Sequence, residues 1–284
     1  MWKEIGPAPA WCFGPPYNDR MPAPLYLIDA FTDRPFAGNP AAVCLPDADR
    51  DAAWMQAVAA EMNQAETAFV CPRPDGDWDL RWFTTVVEVE LCGHATLASA
   101  HALWDTGRAS PQRPVRFHTM SGVLTCTLAG GRIEMDFPAE PAEPVQATAE
   151  EAFALGATPA FAGRNRMDML VVLGTAEEVR RLAPDMGQVA KIKARGVIVT
   201  ARSDRPDADF VSRFFAPQSG VAEDPVTGSA HCCLGPYWRG VLGKDELVGR
   251  QVSKRGGTVS VRVAGDRVVL GGSAVLVVEG SMNV

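Results

Sequence analysis

Gly122-Val123-Leu124-Thr125-Cys126-Thr127-Leu128-Ala129-Gly130-Gly131-Arg132-Ile133-Glu134-Met135 reappears 135 positions later as Gly257-Thr258-Val259-Ser260-Val261-Arg262-Val263-Ala264-Gly265-Asp266-Arg267-Val268-Val269-Leu270. Each copy reads as two alternating strands joined by a two-residue turn, Gly130-Gly131 in one and Gly265-Asp266 in the other, suited to positive φ. The same offset carries Gly93-His94-Ala95 onto Gly228-Ser229-Ala230, each a glycine opening an apolar stretch of helical length. Those stretches run from Ala95 to Trp104, and from Ala230 to an expected break at Gly235-Pro236. Ahead of each helix lies a matching strand end, Arg81-Trp82-Phe83-Thr84 and Arg213-Phe214-Phe215-Ala216, three residues off the register. Strand, glycine-opened helix and hairpin recur in one order, as an internal duplication requires.

Outward from this core, strands are predicted at Leu25 to Phe31, Ala42 to Leu45, Thr67 to Cys71, Val171 to Leu173, Val197 to Thr200 and Val275 to Val278. Asp51 to Met62 places Trp54, Met55, Val58, Ala59 and Met62 on one helical face, and Ala176 to Lys191 is its expected equivalent. The Pro-rich stretch Pro138 to Thr148 is the best boundary. The chain then divides into an irregular extension, 1–23, a first α/β half, 24–140, and a second half, 141–273. The last strand, within 274–284, crosses back to complete the first half. The fold class is α+β, with two halves related by an approximate two-fold axis.

Composition narrows the function. The 284 residues carry a net charge of −7 and no basic block, so nucleic acid is an unsuitable partner. No apolar run reaches the length of a membrane span. Seven cysteines, odd in number and without paired short spacing, fit reduced thiols in a cytoplasm rather than disulfides or structural zinc. Residues 1–23 lack the apolar core of a signal peptide, and Met21 is an alternative start. His94, His101 and His231 lack the close spacing of a zinc site, so no metal is assigned. No glycine pair forms a nucleotide-binding fingerprint.

A helix opened by glycine exposes N–H groups without intrahelical partners at its positive end. With the halves packed about a two-fold axis, the starts at Gly93 and Gly228 face each other across a cleft and donate to one small anion. The places where the copies differ are the candidates for chemistry. His94 becomes Ser229, and Cys92 becomes Thr227; Glu66 has no acidic counterpart in Ala194-Arg195-Gly196, so one carboxylate is expected to serve a site made by both halves.

Four ordered motifs resemble the phenazine-biosynthesis isomerase (PhzF-like) family: Asp29-Ala30-Phe31-Thr32-Asp33-Arg34-Pro35-Phe36-Ala37-Gly38-Asn39-Pro40, Ala65-Glu66-Thr67, Cys92-Gly93-His94-Ala95-Thr96 and Glu223-Asp224-Pro225-Val226-Thr227-Gly228-Ser229. The resemblance runs from about Leu25 to the C-terminus. It implies a diaminopimelate-epimerase-like fold, each half a sheet wrapped around a central helix, in a homodimer. It also implies a cofactor-independent isomerase that shifts a proton on a small carboxylate-bearing substrate. Glu66 is then the general acid/base, with His94, Asp224 and Ser229 as catalytic partners. Gly93, Ala95, Gly228 and Ala230 are the substrate-binding positions. Related racemases of this fold use two opposed thiols; Cys92 faces Thr227 in the register, so that arrangement is incomplete. The alternatives are an epimerase using Cys92 or Asp224 as the second base, and a silent protein that binds a small acid.

Overall fold

A computed structural model describes residues 22–283; the 1–21 part of the expected extension, with Cys12, lies outside them. The first half begins with strands β1 (Ala23–Ala30) and β2 (Asn39–Cys44), helix α1 (Ala52–Met62), and strands β3 (Thr67–Pro72), β4 (Trp78–Phe83) and β5 (Glu88–Val89). Helix α2 (Gly93–Asp105) and strands β6 (Val115–Thr119), β7 (Gly122–Ala129) and β8 (Arg132–Pro138) follow. The second half repeats this order. It contains β9 (Glu143–Pro144), α3 (Ala149–Leu155), β10 (Phe161–Arg164), β11 (Met169–Val172), α4 (Ala176–Arg181) and α5 (Met186–Val189). It continues with β12 (Val197–Arg202), β13 (Phe210–Ala216), β14 (Val221–Asp224), α6 (Gly228–Leu242), β15 (Glu246–Gln251), β16 (Gly257–Ala264) and β17 (Arg267–Gly272). Strand β18 (Ala274–Met282) ends the described chain.

Strand pairing shows the duplication directly. In the first half β1–β2 is antiparallel, β2–β3 parallel and β3–β4 antiparallel, and β10 to β13 repeat that sequence. The two hairpins join antiparallel through β8 and β17, where Met135 is opposite Leu270. Those residues are also equivalent in the 135-residue register, so the pseudo-two-fold axis passes between them. Bidentate ion pairs repeat as well: Arg81 grips Glu88, and Arg213 grips Glu223. Strand β18 pairs with β1 from Ala23–Met282 to Ala30–Ala274; β9, which follows the first hairpin, pairs with β10 in the same way.

Each half wraps its sheet around one helix. In α2 every residue from His94 to Ala100 is buried, so the helix is apolar on all sides as a central element must be. Its two buried hydroxyls are satisfied within the helix, Thr96 donating to the Cys92 carbonyl at 2.6 Å and Ser99 to that of Ala95 at 2.7 Å. Around it pack Ile28, Val43, Val70, Trp82, Phe117 and Met135. Asp51 caps α1 by accepting from the Trp54 N–H at 2.7 Å.

Two expected boundaries are corrected. The equivalent of α1 is not one helix over Ala176 to Lys191 but the short pair α4 and α5, because Pro184 cannot continue a helical ladder. The break at Gly235-Pro236 is absent, and α6 runs through it. Proline there leaves the carbonyl four residues back, on Cys232, without its helical donor; the Glu140 N–H bonds to that carbonyl at 3.0 Å. Gly235 has its own cause, since a Cβ would lie 2.8 Å from Val261 Cγ1 and 3.2 Å from Val263 Cγ2.

Gly235→Ala tests this packing. Helix propensity alone favours alanine by about 1 kcal/mol, but the β-branched valines cannot swing away, and overpacking costs about 1–3 kcal/mol. The expected outcome is a lower urea midpoint with an unchanged m-value.

Candidate active site

The starts of α2 and α6 face each other as the register requires. A Cβ built on Gly93 would stand 3.7 Å from the Gly228 Cα, and one on Gly228 would stand 3.7 Å from the Gly93 Cα. A Cβ at either position would be in van der Waals contact with the opposite glycine, so the two backbones approach with no side chain between them. The residues before them, Cys92 and Thr227, are in extended conformation and make no side-chain cap, so the first-turn N–H groups remain available to a ligand. Ala95 and Ala230 are buried; what they offer a ligand is backbone N–H alone.

Glu66 enters from the turn between α1 and β3. Its Oε2 lies 3.4 Å from His94 Nε2, and its side chain is 21% exposed, so one edge is open. Cys92 Sγ lies 3.5 Å from His94 Nδ1. Burial pushes the Cys92 thiol well above its ordinary value, reinforced by the charge of Glu66. Burial also pushes His94 down to about 4, so the imidazole is neutral at pH 7 and its contact with Glu66 is not an ion pair. The thiol also hydrogen-bonds the Glu66 carboxyl, which holds the carboxyl down somewhat, and His94 Nε2 is buried without a hydrogen-bond partner, facing Glu66.

Asp224 ends β14 on the other side. Asn39 Nδ2 donates to its Oδ1 at 2.8 Å and to the Val226 carbonyl at 2.9 Å; Thr227 Oγ1 donates to its Oδ2 at 2.5 Å. Gln251 locks this turn, donating to the Asp224 carbonyl and accepting from the Thr227 N–H. Burial pushes Asp224 up to about 6, against the lowering effect of its Thr227 and Asn39 bonds. Glu66 is pushed up to about 7, first by burial and then by the charge of Asp224. Asp224, a catalytic partner in the motif resemblance, thus acts on the Glu66 carboxyl through space. Glu223, its neighbour in the motif, is turned away into its pair with Arg213.

Ser229, the counterpart of His94, accepts from Arg195 Nη2 at 2.9 Å. The structure thus gathers Glu66, His94, Cys92, Asp224 and Ser229 around the two facing helix starts, where the halves meet. Asn39 stood in a quoted motif without a role. Thr227 is in a motif and is the counterpart of Cys92, but its hold on Asp224 has no local signal; Arg195 and Gln251 offer none beyond their polarity. Donor atoms of Glu66, Cys92 and His94 lie within 4.8 Å of one another, as do those of Asp75, Asp77 and His118. As a metal set the first group has a drawback, because its thiol would have to ionise where burial opposes it. His101 and His231 do not join that group. No helix among the described residues is long and apolar enough to cross a membrane.

The profile described as phenazine biosynthesis-like protein matches residues 28–280. An uncharacterized isomerase of Halalkalibacterium halodurans is 48% identical over 263 residues, covering 92% of this chain and 99% of that protein. The crystal structure of a phenazine biosynthesis protein of the PhzF family from Enterococcus faecalis superposes with a TM-score of 0.89 at 39% identity, over 93% of this chain and 100% of that one. A hydroxyproline epimerase from Agrobacterium vitis shares the fold, with a TM-score of 0.63 at 11% identity over 93% of each chain. The fold is therefore diaminopimelate-epimerase-like.

The buried carboxyls have a measurable consequence. Their folded values lie above their unfolded ones, so the neutral forms stabilise the fold, fully below about pH 4, and that stability is lost as pH rises through about 6 and 7. Depressed His94 has the opposite sign, its contribution being lost as pH falls toward 4. Urea denaturation at pH 5 and pH 8 is expected to show Glu66→Gln reducing the alkaline loss by about 1–2 kcal/mol, less than full burial would give because the carboxyl edge is open.

Proposed function

The chain belongs to the phenazine biosynthesis-like family and is an isomerase, and from that premise we propose that it shifts a proton on a small carboxylate-bearing substrate, with Glu66 as the general acid/base. The observation that carries this reading is the Glu66 carboxyl, pushed up to about 7 beside two uncapped helix starts. A group titrating near neutrality removes a proton as carboxylate and returns it as carboxylic acid. Glu66 takes the proton from an acidic C–H and delivers it to another carbon on the same face. Negative charge developing on the substrate is met by first-turn N–H groups of α2 and α6. His94, neutral at working pH, turns Nε2 toward Glu66 without adding a full charge beside it. Asp224 acts on Glu66 through its charge, and Asn39, Thr227 and Gln251 hold it where that charge is felt.

A two-base epimerase on this fold would require a second base opposite Glu66. Cys92 lies on the same side as Glu66 and is held as a thiol, while both oxygens of Asp224 already accept hydrogen bonds. These contacts favour the one-base shift, in which configuration at the exchanging carbon is retained.

Two outcomes test the reading, using a panel of small cyclic and amino-substituted acids in deuterated water with NMR detection. Glu66→Gln is expected to slow deuterium incorporation by about 10²–10⁴-fold while leaving ligand binding intact; unchanged incorporation would remove Glu66 from the reaction. In wild type kcat/KM rises with pH through about 7, as the base ionises. Asp224→Asn removes the neighbouring negative charge, so the rise moves to lower pH.

A further inference from the structure

The loop before β12 is the second-half counterpart of the loop that carries Glu66. Thr67 pairs with Phe83 in the first half and Val197 with Phe215 in the second, which makes Gly196 the counterpart of Glu66 and Arg195 that of Ala65. A side chain at 196 has no room, since a Cβ there would lie 2.2 Å from the Phe214 ring. The first functional group on this loop is instead the Arg195 guanidinium, standing over the same ring at 5.5 Å from its centroid. Its Nε and Nη2 are clamped by Asp168 at 2.9 and 2.5 Å, and Nη2 also donates to Ser229 Oγ at 2.9 Å.

Across the approximate two-fold axis the cleft therefore presents two corresponding pairs of opposite chemistry. Glu66 with His94 stands at the start of α2; Arg195 with Ser229 stands at the start of α6. We infer that Arg195 is the anion anchor of the site, fixing the substrate carboxylate on the Ser229 side so that the reacting carbon faces Glu66. This rests on the proposed proton shift and deepens it by assigning the two ends of the substrate.

The geometry gives the anchor its properties. Ser229 Oγ already accepts from Arg195, so its own O–H is free to donate to a carboxylate. Arg195 Nη1 makes no hydrogen bond to a described residue, and the side chain is 38% exposed, which leaves it within reach of solvent or ligand. Asp168, only 1% exposed, holds the fork rigid through two of its donors. The Arg195 charge also reaches Asp224, holding that carboxyl down somewhat against the effect of its burial. Specificity follows: the substrate class is a small acid ionised at the carboxyl, and the corresponding neutral amide lacks the charge that the fork attracts.

Calorimetric titration of the full chain with 2-aminobenzoate and 2-aminobenzamide, a matched pair differing in charge, tests this. Wild type is expected to bind the acid at least 10-fold tighter than the amide, and Arg195→Met to lose that preference by weakening the acid alone. Because Arg195→Met leaves Asp168 buried without its partner, the double change R195M/D168N is measured alongside it and is expected to behave identically. Arg195→Lys keeps part of the preference, and Glu66→Gln keeps all of it. The inference is overturned if wild type does not prefer the acid, or if folded R195M/D168N retains the preference. Loss of preference in R195M/D168N together with unimpaired proton exchange by Glu66→Gln would leave the anchor standing and remove the Glu66 mechanism instead.

Discussion

Two helices point their positive ends at one another with only glycine between them, and the rest of the molecule is arranged around that approach. Facing dipoles of like sign repel, and neither end carries a side-chain cap to relieve it. The protein nevertheless holds them together, because each helix is the core of its own sheet and the two sheets are stitched through β8 and β17. The resulting concentration of N–H donors and positive potential is partly answered by Glu66 and Asp224 at its margin. In the proposed function, the substrate carboxylate answers the remainder. The anion affinity proposed for the site thus originates in the architecture, before any particular side chain is considered.

Chemistry arises where the two copies depart from symmetry. A strict repeat would place the same loop residue and the same helix residue on both sides of the cleft. Divergence instead left a carboxyl and an imidazole on one side, a guanidinium and a hydroxyl on the other. Phe214 explains part of the difference sterically, by filling the room that a side chain at 196 would need. Asp224 adds a second carboxylate that is not a copy of the first: in the pairing of β4–β5 and β13–β14, the residue matching Asp224 is Val89.

Local pattern explains what the sequence could reveal. The 135-residue register placed both hairpins and both helix starts correctly because strand alternation, turn glycines and helix-opening glycines are short-range signals. It also required Gly93 and Gly228 to meet. Pro236 within α6 was illegible because the Glu140 N–H that compensates for it comes from a segment brought close only by folding. Arg195 and Gln251 were missed for a related reason: a polar residue in a loop or at a strand end looks solvated until its partners, Asp168 and Ser229 or Thr227 and Asp224, are known. The motif resemblance supplied Asp224, whereas its hold by Asn39 spans 185 positions and has no local trace.

The pairing of β18 with β1 bears on the order in which the chain becomes a protein. Ala30 finds its partner at Ala274, so 244 positions must leave the ribosome before the first sheet closes. At about 5–20 residues per second, that is a wait on the order of tens of seconds. During it, β1 is paired on one side only, by β2, and its other edge stays open to chance partners. The second half is relieved of this delay, because β9 precedes β10 by fewer than twenty residues. Both units nonetheless await the end of the chain, since β17 ends at Gly272 and β18 at Met282. The later to close is the one that carries the proposed base.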